Sequence, residues 1–104
     1  MLHDGALRVF NRSTLVDFWK KHPDAEAPLR LWFSIVQHAS WKSPAEIRAI
    51  FGTADFLPGN RVVFDIKGNS YRLVVQFKYA PLFLAFIRFV GTHAEYDRID
   101  ASEV

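Results

Sequence analysis

The order of apolar and polar residues divides the chain into a helical first half and a stranded second half. Leu15, Phe18, Trp19 and His22 recur at the spacing of one buried helical stripe. Asn11 or Ser13 stands where that helix opens. Pro23 ends it, because a residue preceding proline is pushed out of the helical region. Leu29, Trp32, Phe33 and Val36 repeat the stripe, with Arg30, Ser34 and Gln37 opposite, which predicts a second helix from about Ala25 to Ser40. Two amphipathic helices joined through a proline read as a helical hairpin. Leu7 to Phe10 fits a short strand ahead of it. Ser43-Pro44-Ala45-Glu46 predicts a third, short helix, with Ser43 as cap, Pro44 at the first helical position and Glu46 closing a capping box. Gly52 and then Pro58-Gly59 break that helix.

From Arg61 the period changes to two. Val62, Phe64 and Ile66 fall on one face, and Arg61, Asp65 and Lys67 on the other, before a Gly68-Asn69 turn. Ser70 to Tyr79 alternates again, with Tyr71, Leu73, Val75 and Phe77 set against Arg72, Val74, Gln76 and Lys78. After Ala80-Pro81, Leu82 to Gly91 is almost wholly apolar, which predicts a central strand covered on both faces. Thr92-His93-Ala94-Glu95 is a second capping box, opening a short helix through about Ile99. The expectation is one domain over residues 1–104. It is an α+β fold, with the helical hairpin on one face of a mainly antiparallel sheet and a short C-terminal helix. No repeat, low-complexity run or linker interrupts it.

Composition narrows the function. Half of the 104 residues are apolar and 15% are aromatic, enough for a packed core. The ten phenylalanines and three tryptophans also allow an apolar interaction surface. There is no cysteine, which excludes a disulfide framework, a thiolate metal site and a cysteine nucleophile. No signal-peptide or membrane-spanning run is found, so a soluble, cytoplasmic protein is expected, with no membrane partner. The net charge is only +2, but Arg61, Lys67, Arg72, Lys78 and Arg88 face the single acid Asp65 within one stretch. That concentration points to an anionic partner if the charges emerge on one face.

Several segments resemble the HigB-type branch of the RelE-like toxin superfamily. They are Phe18-Trp19 with His22-Pro23, Ala39-Ser40-Trp41, Arg61-Val62-Val63-Phe64, Gly68-Asn69-Ser70-Tyr71-Arg72-Leu73 and, most specific, Ile87-Arg88-Phe89-Val90-Gly91-Thr92-His93-Ala94-Glu95-Tyr96-Asp97. The resemblance runs from about Leu7 to Asp100. It implies a RelE-like fold and the toxin of a type II toxin–antitoxin system, an endoribonuclease that cleaves mRNA, usually on the ribosome, and so inhibits translation. It implies neutralisation by a HigA-type helix-turn-helix antitoxin, with operator DNA reached only through that antitoxin. It implies no metal and no organic cofactor.

RNA cleavage without a metal needs a base for the 2′-hydroxyl, cations for the phosphorane and an acid for the leaving 5′-oxygen. His93 is the first candidate, since an imidazole titrates near pH ~6.5. Tyr96 and Asp97 share its helical face. Asp97 would orient the ring, and Tyr96 would hydrogen-bond phosphate or stack on a base. The alternative is that this turn merely pins the helix to the sheet. Arg72 and Arg88 are the candidate phosphate clamps, because guanidinium binds two phosphate oxygens at once. An ion pair of Arg88 with Asp65 or Asp97 is the competing reading. Gln76 shares Arg72's face. Lys78 reads as a second cation, a base or a solvated strand end, and Arg61 and Lys67 as RNA-steering charges. His22 reads as structural, His38 as exposed and His3 as part of an N-terminal tail, and no histidine pair or acidic cluster has metal-ligand spacing. Two further functions stay open, a non-catalytic RNA- or ribosome-binding module and a protein whose aromatics serve an oligomer interface.

Overall fold

The computed structural model describes residues 7–104, so His3 lies outside it. The elements run β1 (Arg8–Phe10), α1 (Arg12–Lys21), a 3-10 turn (Pro23–Ala25), α2 (Glu26–Gln37), α3 (Pro44–Ile50), β2 (Asp55–Leu57), β3 (Arg61–Ile66), β4 (Tyr71–Lys78), β5 (Leu84–Thr92) and α4 (His93–Tyr96). They build one five-stranded sheet in the order β1-β5-β4-β3-β2. β2 to β5 pair antiparallel, and β1 lies parallel against β5. The fold is α+β, as the residue pattern predicts.

The helical stripes do what their spacing implies. Leu15, Phe18 and Trp19 of α1 and Leu29, Trp32 and Val36 of α2 are buried against Val62, Phe64, Leu73, Val75, Phe77, Ala85 and Ile87 of the sheet. Aromatic edges interlock in this layer, with Trp32 on Phe64 at 5.5 Å and Phe64 on Phe77 at 6.2 Å. Pro23 starts the 3-10 turn that links the two helices. The caps are less regular than the sequence suggests. Asn11 sits in the left-handed region at φ 72 and makes no side-chain cap; its Nδ2 donates to the Ile87 carbonyl at 3.2 Å, tying the β1–α1 corner to β5. Ser43 precedes Pro44 in extended conformation but also forms no side-chain cap. Glu46 accepts from the amide of Lys42 at 3.2 Å instead, so that capping box does not form.

Two expectations about the sheet need correction. β5 is not the central strand covered on both faces. β4 is central, and β5 buries Ala85 and Ile87 while leaving Arg88 exposed and Phe86 half-buried on the other face. The apolar run misleads because β5 carries a bulge. Val74 pairs with Phe89 and Val75 with Ile87, leaving Arg88 as the extra residue. Arg88 and Phe89 therefore both lie on the outer face, and Val90 returns to the core side. The second correction concerns the last residues. α4 and the turns that follow it cross the face opposite the helical hairpin, where Ala101 is buried with Val63 and Val74, and Tyr96, Ile99 and Val104 pack around them. Both faces of the sheet are thus partly covered, the larger core by α1 and α2 and a small one by the C-terminal segment.

Candidate functional site

The junction of β5 and α4 is fixed by local bonds. Thr92 Oγ1 accepts from the Glu95 amide at 3.1 Å, and Glu95 Oε1 accepts from the Thr92 amide at 2.8 Å. This capping box satisfies amides at the helix start, and the backbone bond to Thr92 holds the Glu95 carboxyl below the usual carboxylate range. With α4 so anchored, His93 Nδ1 lies 3.1 Å from Asp97 Oδ2, and both side chains are open to solvent. The other ring nitrogen has no partner among the described residues. Tyr96, on the sheet side of the same turn, packs against Phe89 at 6.4 Å in the small core. Burial pushes its phenol upward, with the charges of Asp55, Asp97 and Asp65 adding to that shift and Arg72 opposing it. His93, Tyr96 and Asp97 thus share one turn at the end of β5, and the Arg72 charge acts on Tyr96 from β4.

Arg72 reaches this cluster already engaged. Its Nη1 lies 3.3 Å from Asp65 Oδ1, its partner across the β3–β4 ladder, and its Nη2 donates to Asn69 Oδ1 at 2.5 Å. Only 13% of the side chain is exposed. Asp65 thus pairs with Arg72 and not with Arg88. Arg88 turns the other way along the sheet: its Nη2 and Nε donate to Gln76 Oε1 at 2.7 and 3.2 Å, and Gln76 Nε2 donates to the Gly59 carbonyl at 3.0 Å. Gln76 is four residues along β4 from Arg72, roughly 13 Å at the usual strand rise. The structure does not bring the two guanidinium groups, the expected phosphate clamps, to one point. They share a face but diverge along it, Arg88 held by Gln76 and Arg72 by Asp65 with Asn69.

The remaining cations separate further. Arg61 donates through Nε and Nη2 to the Val104 oxygen at 3.1 and 2.9 Å, which fastens the C-terminal segment to the sheet. Lys67 does not lie on the outer face with Arg61 and Asp65. It occupies the turn in the left-handed region at φ 53, and its ammonium meets Asp24 of the 3-10 turn at 2.6 Å, on the helical side. Tyr71 Oη donates to the other oxygen of Asp24 at 2.5 Å. Lys78 is exposed at the end of β4, beside the Gln76–Arg88 half of the face. His22 stacks on Phe18 at 4.5 Å beneath Tyr71, and exposed His38 bonds the Ser34 carbonyl at 2.8 Å. The residue pattern does not mark Asn69 and Asp65 as holders of Arg72, nor Phe10 and Phe86, whose rings stack at 5.0 Å on the outer face. Alternation in Arg8-Val9-Phe10 hints at the latter, but nothing in the chain says that β1 lies beside β5.

A cleft of about 240 Å3 opens between α1 and the β5–α4 junction, lined by Thr14, Asp17, Phe18, Lys21, His22, Val90 and Glu95. It contains neither His93 nor an arginine, so the cluster described above lies outside it. Among the described residues no group of three or more His, Asp or Glu side chains is placed to hold a metal ion. No helix among them is long and apolar enough to cross a membrane.

The comparison with protein families decides the identity. The model of the HigB toxin, the RelE-like toxic component of a toxin–antitoxin system, matches residues 25–99, from the end of the 3-10 turn to just past α4. The chain belongs to the HigB toxin family. It is the toxin of a toxin–antitoxin pair, with an antitoxin as its partner. The matched span covers all four antiparallel strands, Arg72, Arg88 and the whole His93–Asp97 turn, and leaves out β1 and α1. No curated protein matches the chain.

Proposed function

We propose that this HigB-family toxin is an endoribonuclease that cuts mRNA, on the ribosome, by side-chain acid–base chemistry at the β5–α4 junction, and so stops translation in the cytoplasm until a HigA-type helix-turn-helix antitoxin neutralises it. One observation carries the reading: a solvent-facing imidazole backed by a carboxylate, His93 Nδ1 to Asp97 Oδ2 at 3.1 Å, on the same turn as the Tyr96 phenol. Held through Nδ1, His93 presents Nε2 outward to take the proton of a 2′-hydroxyl. The 2′-oxygen attacks phosphorus, charge gathers on the phosphorane near Arg72, and the 5′-oxygen leaves. Tyr96, whose phenol burial keeps protonated, supplies the proton to that oxygen. The products are a 2′,3′-cyclic phosphate and a 5′-hydroxyl, and solvent resets both groups. Arg88, Gln76 and Lys78 serve the RNA further along the face, and Arg61 adds positive potential from beneath the C-terminal segment.

Primer extension on mRNA after induction without antitoxin tests the reading. Discrete new 5′ ends are expected, and purified His93→Ala toxin should cut about 10²- to 10⁴-fold more slowly, the usual worth of one general acid–base group. Parental cutting by His93→Ala sinks the assignment. The divergence of Arg72 from Arg88 is the one observation that favours a non-catalytic RNA- or ribosome-binding face. That reading predicts growth arrest with no new 5′ ends.

A further inference from the structure

Phe10 and Phe86 belong to neither core. Their rings stack at 5.0 Å and 15° on the outer face, where β1 lies beside β5, and Phe10 is 38% exposed. The C-terminal segment, which covers Val63 and Val74, does not pack on them. Two guanidinium groups flank the pair, Arg88 at 5.3 Å from the Phe86 centroid and Arg8 at 5.9 Å from that of Phe10. The second distance is at the outer limit of cation–π attraction, so the Phe10 ring is only loosely covered. Register sets Lys78 across from Leu84 and Arg8 beside Leu84, which brings a third cation to the same corner. Among the described residues no carboxylate pairs with Lys78 or Arg88.

An open aromatic backed by a second ring and edged by cations is the arrangement that holds an unpaired nucleotide. Base stacking needs only a π-face, and the charges meet the phosphates on either side. We propose that Phe10, backed by Phe86, is a stacking platform for one base of single-stranded RNA, with Arg8, Lys78 and Arg88 on the flanking phosphates. This deepens the ribonuclease reading and rests on it for the identity of the ligand. The platform lies on the Gln76 side of the face, away from His93, so it grips the message several nucleotides from the scissile bond. It positions RNA and touches none of the reacting atoms.

The test is fluorescence anisotropy of a labelled single-stranded RNA dodecamer, 2′-O-methylated throughout so that it cannot be cut, titrated with the purified toxin. Phe10→Ala and Phe10→Leu should each weaken binding about 5- to 150-fold, the span for loss of one stacked base, while Phe10→Tyr binds like the parent. Leucine keeps the apolar surface and removes only the stacking. Three phosphate contacts give a salt slope of about −2, reduced by about 0.7 in Lys78→Gln. Parental affinity in Phe10→Leu, with an unchanged melting temperature, overturns the platform even if the parent cuts mRNA. Loss of antitoxin binding in Phe10→Ala with RNA binding intact also overturns it, since the corner is then a protein-docking surface. A parent that binds the dodecamer in this way yet cuts no mRNA supports the platform and sinks only the ribonuclease reading.

Discussion

Asp97 and Tyr96 flank His93 on one helical turn, yet they should matter very differently. The His93–Asp97 pair is solvent-exposed at i, i+4 spacing, and such pairs stabilise by only a few tenths of a kcal/mol. Asp97→Asn keeps the size and a hydrogen-bonding oxygen, so single-turnover cleavage should slow by less than about tenfold. Tyr96→Phe keeps the ring against Phe89 but removes the hydroxyl proposed as proton donor. It should melt with the parent and cut about 10²-fold or more slowly. A Tyr96→Phe toxin that cuts at the parental rate shows that the hydroxyl takes no part. The three residues could be grouped from sequence because a helix repeats every 3.6 residues, and His93, Tyr96 and Asp97 obey that spacing. Arg72 could be picked out for its charge, but not its condition. Asp65 faces it only through the β3–β4 register, and Asn69 reaches it only because the turn closes as it does.

At the scale of elements, a polar contact at Asp24 supplements the apolar core between the two layers. Asp24 sits on the short 3-10 turn between α1 and α2 and accepts from Lys67 and Tyr71 at the far end of the β3–β4 hairpin. The Lys67 bond, then that of Tyr71, holds its carboxyl below the usual range, and the same contact pushes the Tyr71 phenol up. A carboxyl depressed in the fold adds stability above its unfolded value near pH ~3.9 and loses it as pH falls through the lower folded value. The raised phenol adds stability below its unfolded value near pH ~10 and loses it only as pH rises beyond the folded one. Both contributions are in place at pH 7. Asp24→Asn should therefore lower the melting temperature modestly at pH 7 and by less at pH 3, since the Lys67–Asp24 pair is half-exposed. An equal gap at both values means that the contact contributes nothing through ionisation. α1, α2, β3 and β4 were legible because their periods differ, α3 and α4 from capping motifs, and β5 from its apolar run. β2 was not, since three residues show no period, and neither was the bulge, since an apolar run hides which residue is extra.

For the whole molecule, the division of the sheet into two unequal faces predicts two kinds of failure. The helical face closes one large core in which Leu73 is fully buried, and that core holds the fold together. The small core under the C-terminal segment has only Ala101, Val63 and Val74 at its centre, fastened by the Arg61 bonds to Val104. Leu73→Ala should cost about 2–5 kcal/mol in global stability, since it leaves a cavity in the fully buried layer between helices and sheet. Ala101→Glu places a charge in the small core, but its cost is capped, because the segment can lift away and return the carboxylate to water. Its cost should stay below that of Leu73→Ala, with faster amide exchange and proteolysis confined to residues 98–104. If Ala101→Glu instead unfolds the chain as cooperatively as Leu73→Ala, the two faces form one core. Tyr96 would then be held by the global fold and not by a separable flap. If the effect is local, the segment that covers Val74 also controls the sheet side of Tyr96. The mutant should then lose cleavage while its helical core melts almost as in the parent, which joins the stability of this small face to the chemistry beside it.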